Sequence, residues 1–134
     1  MKILIVESDD DLREVFEVLL SALGHEVTAV RTGVAVIVIA TVLSPDTIFI
    51  GERLTDFEGD ALARLLRKPP YQSKSFLISF SIYADQWHVA KLKAAGFDGY
   101  VGKPFFMENL SVLLECIDDR ISAGNFPLPW VADT

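Results

Sequence analysis

Short apolar runs alternate with longer helical patterns five times along this chain. The apolar runs are rich in β-branched and aromatic residues, as is typical of strands buried on both faces of a sheet. They lie at residues 3–6, 27–30, 47–50, 76 to 79 or 80, and around Tyr100-Val101. The helical patterns cover residues 9–23, 33–43, 60–68, 85–95 and 107–121. Such alternation predicts a parallel sheet with right-handed crossovers and helices on both faces.

The strand order that we expect is 2-1-3-4-5, which is a flavodoxin-like α/β fold with a five-stranded parallel sheet. In sheets of this class, ligands and chemistry gather at the carboxyl ends of the strands. The predicted pocket is therefore bounded by residues 7–11, residues 51–56, Ser81 and Lys103. The third strand ends at Gly51, which presents no side chain to this pocket.

Size and charge narrow the possible functions. The 134 residues suit one domain, which we place at residues 1–123, with an irregular tail at 124–134. The 12 basic and 19 acidic side chains give a net charge of −7, which argues against nucleic acid or an anionic membrane as a direct partner. The single cysteine, Cys116, falls in an apolar helical pattern, so we interpret it as a buried thiol and expect a cytoplasmic protein.

Several short motifs occur in the order and spacing of one known family. They are Ile-Leu-Ile-Val-Glu-Ser-Asp from Ile3, then Arg13, Pro45-Asp46, Gly59, Ser81, Ala95-Gly96 and Lys103-Pro104-Phe105. From Lys2 to about Arg120, the chain resembles a receiver domain of the bacterial two-component response regulators. The resemblance implies that an aspartate ending the third strand takes a phosphoryl group from a histidine kinase. It also implies that two acids after the first strand help to hold Mg²⁺.

At the positions that correspond to the functional residues of the family, this chain lacks the central ones. The acceptor position is Gly51, so no acyl phosphate can form there. The acid pair becomes Glu7 and Ser8, which replaces one expected metal ligand with a hydroxyl. Arg53 adds a cation where the family uses a backbone carbonyl as a metal ligand. The resemblance therefore predicts a degenerate phosphorylation pocket that holds neither Mg²⁺ nor another cofactor.

The other pocket positions are a mixture of changed and retained residues. Ile82 stands where the family usually has a small residue, and it would obstruct a phosphoryl donor. Ser81 and Lys103 match the residues that contact the phosphoryl oxygens in the family. Tyr100 matches the aromatic switch position, and Pro104 follows the lysine as it does in the family.

Two features suggest protein contacts. Trp87 is predicted to lie beside His88 on the exposed side of the fourth helix, the usual partner-binding face of the family. The second helix, residues 33–43, is apolar on all sides, which favours a homodimer or another partner contact.

Together these residues predict a pseudo-receiver, a non-enzymatic protein-interaction module that binds a histidine kinase or an effector without phosphorylation. One alternative is a receiver phosphorylated at Glu52, Asp56 or Ser8. Another is a small phosphotransferase or hydrolase that uses Glu7 and Asp9, although Glu-Ser-Asp departs from the Asp-x-Asp of aspartyl phosphatases. Whether the chain stands alone or belongs to a larger regulator stays open.

Overall fold

The computed structural model describes residues 1–81, 86–102, 107–123 and 131–132. Strands and helices alternate through them. The strands are β1 (Lys2–Val6), β2 (Glu26–Val30), β3 (Thr47–Gly51), β4 (Phe76–Ser81), β5 (Gly99–Gly102) and β6 (Val131–Ala132). The helices are α1 (Asp10–Ala22), α2 (Gly33–Leu43), α3 (Gly59–Arg67), α4 (Gln86–Ala95) and α5 (Met107–Ala123).

The strands form one parallel sheet in the order β2-β1-β3-β4-β5-β6. The predicted order of the first five strands is confirmed. A short sixth strand adds to these five, because Val131 and Ala132 pair with Gly99 and Tyr100 of β5. A two-residue strand is too short to show a periodic apolar pattern, so the sequence carried no sign of it.

The register of the central strands brings their carboxyl ends together. Val6, the last residue of β1, lies opposite Ile50 of β3. Gly51 then ends β3 opposite Phe80 of β4. The loops that follow β1 and β3 therefore leave the sheet side by side.

Apolar side chains cover both faces of the sheet in two separate layers. Under α1 and α5, the rings of Phe16, Phe49 and Phe80 pack against one another, with centroid distances of 5.0, 4.3 and 5.6 Å. Edge-to-face and offset ring pairs of this kind are favourable beyond the area that they bury. The layer under α2, α3 and α4 is aliphatic apart from Phe97 and includes Leu4, Val6, Val36, Ile48, Ile50, Leu62, Leu66, Leu77 and Leu92.

Helix α2 forms over the predicted residues although its Val and Ile content disfavours a helix. Its first turn is capped, because the Thr32 hydroxyl accepts a hydrogen bond from the Ala35 N–H. It ends at Ser44, which adopts a left-handed conformation with φ 48°. Despite its apolar character α2 has only 11 residues, and no helix in the described part of the chain is long and apolar enough to cross a bilayer.

A half-buried arginine, Arg67, links the amino-terminal edge of the sheet to two loops. The Arg67 guanidinium donates to the backbone carbonyls of Ser73, Ser75 and Gly96 at 2.8 to 3.0 Å. It also pairs with Asp98 Oδ2 at 2.8 Å, and the same oxygen accepts the backbone N–H of Leu77. These bonds fix the ends of α3 and α4 on β4, at the edge of the sheet opposite the predicted pocket.

Candidate functional site

Two loops meet at the carboxyl edge of the sheet where the pocket was predicted. They are the β1–α1 loop, residues 7–9, and the β3–α3 loop, residues 52–58. Ser81 ends β4 at the same edge. Ile82, Lys103 and Pro104 lie outside the described residues, as do the side chains of Ser81 and Trp87.

The carboxylate of Glu7 lies against the end of β3. A Cβ atom built on Gly51 would come within 3.1 Å of Glu7 Oε1 and within 3.3 Å of Glu7 Cδ. Glu7 is only 4% exposed, and its Oε2 accepts a hydrogen bond from the Asp9 N–H at 3.0 Å. A carboxylate from the neighbouring loop thus borders the space that a side chain at position 51 would enter.

A hydroxyl group joins the two loops directly. The Ser8 Oγ donates a hydrogen bond to the backbone carbonyl of Arg53 at 3.2 Å. That carbonyl is the one to which the resemblance assigns a metal-ligand role. In this chain it is engaged by a protein hydroxyl, while the Arg53 side chain is exposed.

The described residues at this edge form a poor magnesium site. Mg²⁺ usually keeps several waters in its octahedral shell and binds one or two carboxylates. Glu7 supplies one carboxylate, but Gly51 has no side-chain oxygen and the Ser8 hydroxyl is directed to Arg53. These three positions therefore offer fewer carboxylates than the resemblance implies for the metal site of the family.

The β3–α3 loop folds back on itself through backbone hydrogen bonds. The Gly59 N–H donates to the Glu52 carbonyl and the Leu54 N–H donates to the Phe57 carbonyl, each at 2.9 Å. A Cβ atom at Gly59 would collide with the backbone carbonyl oxygen of Gly51. The loop therefore requires glycine at position 59, one of the motif positions found in the sequence.

Asp56 caps the N-terminus of α2, a role that its position in the sequence did not suggest. Its two carboxylate oxygens accept the N–H groups of Gly33 and Val34, each at 2.9 Å. Desolvation raises the pKa of Asp56, but the hydrogen bonds from Val34 and Gly33 outweigh it and hold the pKa below its ordinary value. Since the two residues are more than twenty positions away in the chain, no local pattern could have revealed this contact.

Replacing Asp56 with alanine should lower the free energy of unfolding by about 1 kcal/mol, the usual cost of a lost helix cap. The pKa of Asp56 is lowered in the folded state, so its stabilising effect is present above the ordinary pKa and is lost as the pH falls through the lowered value. Urea unfolding at neutral and acidic pH measures both effects. Thr55→Ala, an exposed neighbour, is the control. An Asp56→Ala variant as stable as that control at neutral pH would contradict the capping role.

His88 corrects the prediction that it lies on the outer face of α4. It is half-buried, and its Nε2 lies 3.2 Å from Glu52 Oε1 across a cleft of about 570 Å³ between α4 and the β3–α3 loop. Glu52, one of the alternative phosphate acceptors, therefore lies beside His88. The signal was present in the sequence, because His88 precedes the buried Leu92 by four residues and so shares its helical face.

The acidic residues after β1 stabilise the N-terminus of α1. Asp9 Oδ1 accepts the Leu12 N–H at 3.0 Å and so caps the helix. Arg13 donates to the Glu7 carbonyl at 2.9 Å and pairs with Asp10 Oδ1 at 2.7 Å. The hydrogen bond from Arg13 and the charge of Arg31 hold the pKa of Asp10 below its ordinary value.

Tyr100, the predicted switch residue, lies on β5. Its side chain is half-buried and packs against the aliphatic layer under α2, α3 and α4. Its switching role stays a prediction.

The fold of this chain closely matches solved response regulators. A CheY-like receiver domain from Methylobacillus flagellatus is 28% identical, with a TM-score of 0.75 over 87% of this chain and 98% of that one. A two-component response regulator from Clostridium difficile is 21% identical, with a TM-score of 0.82 over 90% and 98%. The chemotaxis response regulator CheY4 of Vibrio cholerae is 21% identical, with a TM-score of 0.79 over 87% and 97%.

A search of curated proteins gave no match. The family model described as "Response regulator receiver domain" matches residues 3–115, which is most of the chain. That span runs from β1 into α5 and contains the loops after β1 and β3 described above. The chain therefore belongs to the receiver domain family of two-component signalling.

Proposed function

We propose that this chain is a pseudo-receiver, a receiver domain that works by binding other proteins without being phosphorylated. The observation that carries the proposal is Gly51 at the carboxyl end of β3, with the Glu7 carboxylate lying against it. Phosphoryl transfer to a receiver needs an oxygen nucleophile at this point, and glycine has none. Glu7 instead places its side-chain carboxyl group beside the end of β3.

The hydrogen bond from Ser8 to Arg53 supports the same proposal. It joins the β1–α1 and β3–α3 loops directly, with Ser8 Oγ 3.2 Å from the Arg53 carbonyl oxygen. A protein hydroxyl in this place would have to be displaced before a metal could use the Arg53 carbonyl. We therefore propose that the pocket works without Mg²⁺.

Because Gly51 supplies no nucleophile and Glu7 is the single carboxylate among positions 7, 8 and 51, we propose a non-enzymatic role. The partners would be proteins of a two-component pathway, such as a histidine kinase or an effector, in the cytoplasm. The exposed side of α4 is the face that the resemblance assigns to such partners. We propose Trp87, Tyr100 and Pro104, the predicted switch and interface residues, for contact.

The contacts of the three alternative phosphoryl acceptors argue against phosphorylation at those residues. The carboxylate of Asp56 caps α2, the carboxylate of Glu52 lies beside His88, and the hydroxyl of Ser8 donates to a backbone carbonyl. Each would have to abandon its contact to accept a phosphoryl group. A hydrolase based on Glu7 and Asp9 meets the same objection, since Asp9 caps α1 and donates its N–H to Glu7.

Thermal unfolding with Mg²⁺ tests the metal-free pocket. The native melting temperature should be the same in magnesium chloride and in sodium chloride of equal ionic strength. The double variant Ser8→Asp/Gly51→Asp crowds two further carboxylates against Glu7, so it should be destabilised without metal. Mg²⁺ should then raise its melting temperature by about 2–6 °C. A saturable rise for the native protein would contradict the proposal.

A further inference from the structure

Helix α2 exposes a stripe of three valines, which we call the valine stripe. Val34, Val38 and Val42 are 55%, 65% and 87% exposed. They are spaced four residues apart, so they lie in one row along the helix. The row is about 12 Å long at 1.5 Å per residue.

The valine stripe cannot turn inward without breaking the contacts that hold α2. The opposite side of the helix is already buried through Gly33 and Val36. Asp56 accepts the N–H groups that begin the helix, and the ring of Phe57 packs against Gly33. The stripe is therefore a fixed feature of the surface, presented by a helix that the β3–α3 loop anchors.

Helix α2 differs from the other helices because it has no charged side chains. Each of α1, α3, α4 and α5 carries charged side chains, whereas α2 carries none along its 11 residues. The whole chain has a net charge of −7, so two copies repel each other wherever their charged faces approach. The uncharged face of α2 is the helical surface on which two copies meet with the least repulsion.

The shape of the valine stripe suits contact with its own copy. Rows of residues four apart are the ridges that interlock in the commonest class of helix packing, with axes crossing at about −50°. A two-fold dimer needs one patch that complements itself, and a row of identical side chains centred on Val38 meets that condition. A two-fold axis near Val38 would bring Val34 of one copy towards Val42 of the other.

We propose that α2 is a self-association surface on which the valine stripe packs across the same stripe of a second copy. This deepens the proposed function, since it names one partner of the interaction module. One helix face is much smaller than the roughly 800 Å² per partner of a standard interface. The dimer should therefore be weak and reversible, with a Kd of about 10 μM to 1 mM.

Sedimentation velocity over a range of protein concentrations tests the proposal. The native protein should pass from monomer to dimer as its concentration rises. Val38→Lys should weaken the association at least about tenfold, because it places two cations at the centre of the contact. Val18→Lys is the matched control, since Val18 on α1 is 61% exposed and should leave the association unchanged. Circular dichroism would verify that both variants keep their helices.

Cysteine cross-linking gives a second readout that does not depend on a charged substitution. In a Cys116→Ser background, Val38→Cys should form a disulfide-linked dimer on mild oxidation faster than Val18→Cys does. A native protein that stays monomeric at all concentrations would overturn the proposal. The valine stripe would then be a contact surface for a different protein. A dimer that survives Val38→Lys would also overturn it. Neither failure touches the pseudo-receiver proposal, which the magnesium and phosphorylation measurements test separately.

Discussion

Replacing Arg67 with alanine should lower the free energy of unfolding by about 2–4 kcal/mol. The guanidinium makes five hydrogen bonds, to Asp98 and to the carbonyls of Gly96, Ser73 and Ser75. The truncation would leave the Asp98 carboxylate partly buried, with side-chain exposure of 16%, and without its cation. Uncompensated charges of this kind are among the costliest defects in a folded protein.

Arg64→Ala on the same helix is the control for Arg67→Ala. The Arg64 side chain is 45% exposed and lies 3.6 Å from Asp60, so its loss should cost less than about 0.5 kcal/mol. Urea unfolding of both variants at neutral pH compares the two arginines. Equal stabilities would show that the Arg67 contacts contribute nothing beyond a surface ion pair.

The decrease in the free energy of unfolding caused by Arg67→Ala should also depend on pH. Burial already raises the pKa of Asp98 above its ordinary value, because the Leu77 N–H and Arg67 oppose it only in part. Without Arg67 that pKa should rise further, so the folded variant would bind a proton more tightly than the unfolded chain does. Stability then falls as the pH rises between the two pKa values. The difference from the native protein should be smaller in mildly acidic buffer than at neutral pH.

Replacing Gly59 with alanine should lower the free energy of unfolding by about 2–3 kcal/mol, a cost typical of forced overpacking. The added methyl group would collide with the carbonyl oxygen of Gly51, which is backbone and cannot rotate away. To avoid this collision, the β3–α3 loop would have to move. Such a movement would strain the hydrogen bond from the Gly59 N–H to the Glu52 carbonyl, which holds the loop in place.

Gly51→Ala is the matched control for Gly59→Ala. Its methyl group would lie 3.1 Å from Glu7 Oε1 and 3.3 Å from the Val6 carbonyl oxygen, contacts that a shift of a few tenths of an ångström relieves. We expect a loss below about 1 kcal/mol. Thermal or urea unfolding ranks the two variants. A Gly59→Ala variant at least as stable as Gly51→Ala would show that the loop tolerates the methyl group.

The regular alternation of strands and helices could be predicted from the sequence. Helix α2 is found at the predicted residues 33–43 because its place between β2 and β3 requires a crossover, although its Val and Ile content disfavours a helix. The central strand at Thr47 was also found, with Gly51 added at its end. The strand order followed from the alternation of elements and the handedness of the crossovers.

Contacts between distant segments could not be predicted in the same way. The Asp56 cap on α2 and the bond from Ser8 to Arg53 join residues more than twenty positions apart. Each depends on how closely two loops approach after the sheet has formed, and no local periodicity encodes that distance. His88 differs, because its four-residue spacing from the buried Leu92 is a local pattern that indicates a side chain facing inward.

The most direct test of the central claim is the intact mass of the protein after incubation with a small acyl-phosphate donor and Mg²⁺. The native chain should keep its mass, because Gly51 offers no nucleophile and the carboxylates of Glu52 and Asp56 already contact His88 and the N-terminus of α2. Ser8→Asp/Gly51→Asp is run alongside as the variant with the missing carboxylates restored. A native chain that gains one phosphoryl group, removed again by mild base, would contradict the pseudo-receiver account. Glu52→Gln and Asp56→Asn would then identify the acceptor.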